Sequence, residues 1–259
     1  VTETQVVVHH GGDVLAAAAA ARLVTRIVDA QSARGWASVV LTGGRTGTAV
    51  LEQLRASPAR DAIDWGRVDL YWGDERFLPA GDPERNETQA RAALLDHVPV
   101  DPARVHAVEP SDGRFGDDPE AAADAYADVL AAAARPEDHG AVPTFDVLML
   151  GVGEEGHVAS IFPSSPAVYE QERTVVAVRN CPKPPPTRVS MTLPAIRRAR
   201  EVWLMTTGEA KAAAVALALT GAGEVSLPAA GARGLRRSLW LLDRAAAAKV
   251  PTLFAPPTA

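Results

Sequence analysis

Short apolar runs recur along this chain at residues 5–9, 39–41, 68–72, 145–150, 174–179, 201–206 and 238–242. Runs of this length predict strands, and the continuous run at 145–150 predicts one covered on both faces. The stretches between them have helical character. Asp13 stands where it can cap an alanine-rich helix running to about Arg34, and a second helix is expected from about Thr48 to Leu54. Asn86 begins a third, to about Leu95, and residues 119–134 a fourth, whose alternation of Ala with Asp and Glu predicts an outer, half-solvated position. Gly208-Glu209-Ala210-Lys211 starts a fifth, to about Leu219, and Asp243 a closing one. Residues 98–118, rich in Pro, Gly and Asp, predict surface loop. No internal repeat is present. Strands alternating with helices throughout predict an α/β fold of βαβ units around a mainly parallel sheet.

With 259 residues, 47% of them hydrophobic, the chain has enough apolar material for one large α/β domain or two small ones, and a single domain over 1–259 is the expectation. No apolar run is long enough to span a bilayer, and the opening VTETQVVVHHGG lacks the basic end and apolar middle of a secretory signal, so a cytoplasmic protein without a membrane partner is expected. The single cysteine, Cys181, excludes an intrachain disulfide and any cysteine-built metal site. A formal charge of −6 without a basic block argues against nucleic acid as a partner, so positive charge for an anionic ligand has to be gathered locally. Lysine occurs only at Lys183, Lys211 and Lys249. Either these positions need a compact ammonium rather than a planar guanidinium, or the bias is chance.

The candidate chemistry centres on FDVLMLGVGEEGHVASIFP, where an apolar run ends in Gly151, Gly153 and Gly156 and is followed at once by His157. Ligands of open α/β sheets bind beyond the carboxyl ends of the strands, and an imidazole placed there titrates near neutral pH. GVGEEG matches the dinucleotide pattern G-x-G-x-x-G, but Pro163 follows too soon for the long helix that holds a pyrophosphate, and the pattern normally belongs to the first βα turn. No G-x-S-x-G elbow is present, and Ser160 reads as a neighbour of His157 on one face or as a helix-turn residue. His9, His10, His97, His106, His139 and His157 show no metal-ligand spacing, and the first two read as strand-end residues.

Around that centre, the turn Thr42-Gly43-Gly44-Arg45-Thr46-Gly47 joins a strand to a helix, which makes it a phosphate site or a mere connection. Gly73-Asp74-Glu75-Arg76 is solvated loop or site. The proline-rich loop 181–188 presents Lys183 and Arg188 on a stiff chain, unless it is a linker. Lys211 lies in a first helical turn, where the dipole disfavours a cation and an anionic ligand would explain it. These residues fit a histidine acid–base catalyst in a phosphate-binding pocket, acting by hydrolysis or proton transfer on a phosphorylated small molecule.

Taken together and in order, LTGGRTG, WGDERFLP, GVGEEGHVASIFP, KPPPTRVSMTLPAI, GEAKAAAV and the closing WLLDRAAA resemble the 6-phosphogluconolactonase family over nearly the full length. The resemblance implies a Rossmann-like fold, shared with glucosamine-6-phosphate isomerases, with helices on both faces of a mainly parallel sheet. It implies hydrolysis of 6-phosphoglucono-δ-lactone to 6-phosphogluconate in the oxidative pentose phosphate pathway, a phosphorylated sugar lactone as the partner, and no metal or organic cofactor. His157 would be the general base, with Glu155 beside it. Gly43, Gly44, Arg76, Lys183, Arg188 and Lys211 would surround the phosphate and sugar, with Asp74 and Asn86 as neighbours of the pocket. Glu155 departs from the Asp common in that motif and either orients His157 or binds a sugar hydroxyl. Arg45 stands where a small residue is usual and either joins the phosphate site or faces solvent. Two other readings remain: an amino-sugar-phosphate isomerase or deaminase, with Asp74 as its additional acid–base group, and a non-catalytic sugar-phosphate sensor.

Overall fold

The computed structural model describes residues 2–254. In chain order the elements are β1 (Glu3–His9), α1 (Gly12–Arg34), β2 (Ala37–Leu41), α2 (Gly44–Ala56), β3 (Val68–Trp72), β4 (Asp74–Arg76), α3 (Asn86–Ala93), α4 (Pro119–Ala133), β5 (Val147–Gly151), β6 (Val175–Val178), β7 (Arg188–Met191), α5 (Leu193–Ile196), β8 (Glu201–Thr206), α6 (Ala212–Leu219), α7 (Pro228–Gly231) and β9 (Arg237–Asp243). Six strands form one sheet in the order β1-β9-β8-β5-β2-β3, every neighbouring pair parallel.

The apolar runs are continuous because both faces of this sheet are covered. Alternate residues of one strand enter different cores. Val147 and Met149 of β5 pack with Leu15, Leu23 and Ile27 of α1 and Val50 and Leu54 of α2. Leu148 and Leu150 pack on the other face with Ala122, Tyr126 and Leu130 of α4. Full burial of one such side chain is worth roughly 1.5–3 kcal/mol, so the period-two division of these residues also fixes strand register. No helix among the described residues is long and apolar enough to cross a membrane.

A second sheet, antiparallel and ordered β4-β7-β6, closes over the face that carries α4. Asp74 pairs with Ser190, and Arg76 with Arg188. The charged residues after β3 are therefore a strand rather than a solvated loop, and the segment after the prolines returns as its partner.

Several helix boundaries differ from expectation. Gly11, not Asp13, is the N-cap of α1, and Asp13 lies inside its first turn, where its charge still complements the helix dipole. α2 begins at Gly44 rather than near Thr48, so the glycine turn is itself the helix N-terminus. Asp243 ends β9 and the chain continues in turns instead of a closing helix. Its carboxylate accepts hydrogen bonds from the backbone N–H of Ala246 at 2.7 Å and of Gly208 at 3.1 Å. Pro251 leaves the alanine run too short to repay helix nucleation.

From β2 the chain reaches β3 on one side and later β5 on the other. The crevice outside the carboxyl ends of β2 and β5 is thus a topological switch point, where open α/β sheets bind ligands.

Candidate active site

At the end of β2 the chain turns through Gly43 and enters α2 at Gly44, whose φ of +78° suits glycine. A Cβ on Gly43 would lie 1.8 Å from Oδ1 of Asn86, so this turn and α3 approach as closely as backbone and amide allow. The first N–H groups of α2 have no intrahelical acceptor and carry the positive end of its dipole. Across from them, Lys211 closes a short turn at Glu209–Lys211, one residue ahead of α6 rather than within its first turn. Burial and the neighbouring charge of Lys183 push its pKa below the ordinary lysine value. Among the described residues its ammonium has no ion-pair partner. Gly43, Gly44, Arg45, Thr46, Thr207 and Lys211 line a cavity of about 400 Å³, Arg45 being exposed along its rim. Local positive potential is gathered here despite the net charge of −6.

A second cavity of about 170 Å³ adjoins the first and brings together Gly43, Gly44, Asp74, Arg76, Asn86, His157, Arg188 and Lys211. His157 enters it from a tight turn after β5. Gly153 N–H donates to the His157 carbonyl at 2.9 Å, Gly156 N–H donates to the Gly153 carbonyl at 3.0 Å, and Gly156 has φ +87°. A Cβ on Gly153 would stand 1.9 Å from Nδ1 of His157, so glycine there makes room for the imidazole. The Phe162 ring backs it, with ring centroids 4.5 Å apart. No α-helix opens from GVGEEG before β6, so this loop lacks the helix terminus on which a dinucleotide pyrophosphate would sit.

Nδ1 of His157 lies 2.9 Å from Oε1 of Glu155, and Lys183 Nζ donates to Oε2 of the same carboxylate at 3.1 Å. Burial raises the Glu155 pKa, but its own backbone N–H, the His157 imidazole and the Lys183 ammonium outweigh burial and hold it at about 2. An ionised carboxylate only accepts hydrogen bonds. Nδ1 therefore carries the proton, and Nε2 of the neutral ring keeps a basic lone pair. Burial holds the His157 pKa below 6.5, and Glu155 opposes that effect. Glu155 and Lys183 stand behind the imidazole rather than in the walls of either cavity.

The remaining wall is built around Asp74. Ser160 Oγ donates to Asp74 Oδ2 at 2.7 Å, and Asn86 Nδ2 donates to the Asp74 carbonyl at 2.9 Å. Ser160 occupies a turn closed by the Val158–Ile161 bridge, not a helix. Its role as partner of Asp74 is not apparent from its three-residue spacing to His157. Arg188 is buried; its Nε donates to the Pro185 carbonyl at 3.2 Å, and its Nη2 donates to the carbonyls of Lys183 and Pro184, each at 3.1 Å. Arg188 thus ties the proline loop down, a use of the guanidinium that loop composition does not reveal. Arg76 reaches the cavity with Nη1 donating to the Glu84 carbonyl at 2.7 Å.

The family model described as glucosamine-6-phosphate isomerases/6-phosphogluconolactonase matches residues 11–240. The 6-phosphogluconolactonase of Streptomyces coelicolor is 66% identical over 98% of this chain and 97% of its own. That of Mycobacterium tuberculosis is 56% identical over 93% of this chain and 96% of its own. Among solved structures, the 6-phosphogluconolactonase of Trypanosoma brucei has a TM-score of 0.83 at 27% identity, covering 97% of this chain and 100% of that one. A family match across most of the sequence, with relatives this similar over both chains, establishes that the protein belongs to the glucosamine-6-phosphate isomerase/6-phosphogluconolactonase family.

Proposed function

We propose that this chain hydrolyses 6-phosphoglucono-δ-lactone to 6-phosphogluconate, the lactone-opening step of the oxidative pentose phosphate pathway, with His157 as general base. The observation that carries the reading is the Glu155–His157 pair beside a cavity whose neighbour holds the α2 N-terminus and an ammonium with no carboxylate partner among the described residues. The phosphate binds at that cationic end and sets the distance to the lactone carbonyl. Nε2 of His157 takes a proton from water as its oxygen attacks C1. The imidazolium, stabilised by Glu155, then gives that proton to the ring oxygen as the C1–O bond breaks. The lactone is intrinsically reactive, so base catalysis and positioning supply a modest barrier reduction. The same reading takes the whole chain as one domain and places it in the cytoplasm.

Glu155 acts through His157, and this has a pH signature. Removing the carboxylate charge removes the influence that raises the His157 pKa, while burial and Lys183 continue to lower it. Glu155→Gln is therefore expected to move the acidic limb of the kcat/KM profile to lower pH and to reduce kcat about tenfold, as the imidazole loses its fixed tautomer. A limb that stays in place or moves to higher pH contradicts this role.

Within the family the competing chemistry is isomerisation or deamination of an amino-sugar phosphate, which needs an acid–base group to move a proton between sugar carbons. Asp74 is the carboxylate on the cavity wall for such a step. Parallel incubations decide between them. The lactone is expected to give 6-phosphogluconate faster than spontaneous ring opening, and glucosamine 6-phosphate to give neither fructose 6-phosphate nor ammonia. The opposite products would transfer the central role to Asp74.

A further inference from the structure

We propose that Glu75 is a positioning residue of the substrate cleft, its carboxylate holding the N-terminus of α3 and, through it, the Asn86 side chain; this rests on the lactonase reading. Side chains alternate along a strand, so Asp74 and Arg76 reach the cavity while Glu75 points the other way from β4. Glu75 is 1% exposed. Its Oε1 accepts hydrogen bonds from the backbone N–H of Arg76 and of Asn86, each at 2.7 Å, and its Oε2 accepts one from Glu87 at 2.9 Å. Asn86 and Glu87 open α3, whose N-cap residue, Arg85, provides no side-chain cap. A carboxylate from a different element therefore satisfies two of the orphan donors of this helix and meets its positive dipole end.

What that anchor holds is the Asn86 amide. Its Nδ2 donates to the Asp74 carbonyl at 2.9 Å, and its Oδ1 packs against Gly43 without a hydrogen-bond partner. One side chain thereby sets β4, α3 and the glycine turn of α2 relative to one another. Stability alone gives a poor account of Glu75. Its nearest cation, Arg85, is 3.9 Å away and lies closer to Glu87, at 3.1 Å. Burial pushes the Glu75 carboxyl up to about 7, against Arg85 and the three amides. A folded pKa above the unfolded value means that the stability contributed by this group is complete below the ordinary 4.5 and is lost as pH rises through about 7. At neutral pH its ionisation opposes folding, so a neutral replacement relieves that cost while losing the acceptor for Glu87.

Glu75→Gln is accordingly expected to leave Tm within a few degrees of wild type, to raise KM for the lactone about tenfold and to keep kcat within about threefold. Asn86→Ala is expected to raise KM similarly, and the double variant to add no more than about twofold to Asn86→Ala alone. Glu75→Asp, which keeps the charge but falls short of the α3 amides, is expected to show the same rise in KM and replaces Glu75→Gln if that variant does not fold. Losses that multiply in the double variant, or a fall in kcat and Tm with KM unchanged, would overturn the proposal. Amide hydrogen exchange in the free protein keeps the two readings apart. A wild type without lactone turnover defeats the lactonase reading, whereas unchanged exchange at Asn86 and Glu87 in Glu75→Gln defeats the anchor itself.

Discussion

Replacing His157 by Ala is expected to lower kcat for 6-phosphoglucono-δ-lactone about a thousandfold, with KM within about threefold of wild type. The variant removes the imidazole on the cavity wall while the proposed cationic end, the α2 N-terminus and Lys211, stays in place. In the proposed mechanism binding energy and reactivity are carried by different residues, so the two kinetic constants should separate. A water molecule in the vacated volume lacks a partner that is a base near neutral pH and also passes a proton to the leaving ring oxygen. Phe162 loses its ring contact with His157, a contact between largely buried rings worth about 1 kcal/mol in stability and checked by thermal unfolding. Near-normal kcat in a folded variant would remove His157 from the chemistry, and an unchanged kcat/KM would move the reaction elsewhere in the cleft.

Lys211→Ala is expected to show the complementary result, a rise in KM for the phosphorylated lactone of about a hundredfold, equivalent to about 2.7 kcal/mol. With glucono-δ-lactone, which has no phosphate, the same substitution should change kcat/KM by less than about twofold. The reason is electrostatic. Lys211 is partly buried, has no carboxylate neighbour in ion-pair range among the described residues, and has its pKa lowered by burial and by Lys183, so its charge is poorly compensated until an anion arrives. Lys183, by contrast, has its ammonium engaged by Glu155 at 3.1 Å and contributes first to the environment of His157. Equal effects of Lys211→Ala on both lactones would show that Lys211 does not read the phosphate.

The parts of this architecture that were legible in the sequence are those governed by local pattern. The strands of the parallel sheet stand out because both of their faces are buried, and the glycine turn and His157 stand out because they follow such strands directly. Of the second sheet, only the strand expected at residues 174–179 was legible. Its strand Asp74–Arg76 consists of three charged residues with no apolar period, and it forms only because Arg188–Met191 returns to pair with it. The partnership of Ser160 with Asp74 spans 86 residues, and the anchoring of α3 by Glu75 crosses from one element to another, so neither leaves a local signal. Arg188 shows the difference between position and use: it lines the cavity, yet most of its donors are spent on the carbonyls of the proline loop. The helix expected from Asp243 does not form, since helix propensity alone does not nucleate a helix in so short a run.

The most direct test of the central claim is the rate of ring opening of 6-phosphoglucono-δ-lactone and of glucono-δ-lactone by the wild-type protein, with the spontaneous rate of each subtracted. The predicted result is saturable turnover of the phosphorylated lactone with kcat/KM at least about a hundredfold above that of the unphosphorylated one. Rates no higher than the spontaneous background, or equal rates for the two lactones, would contradict it.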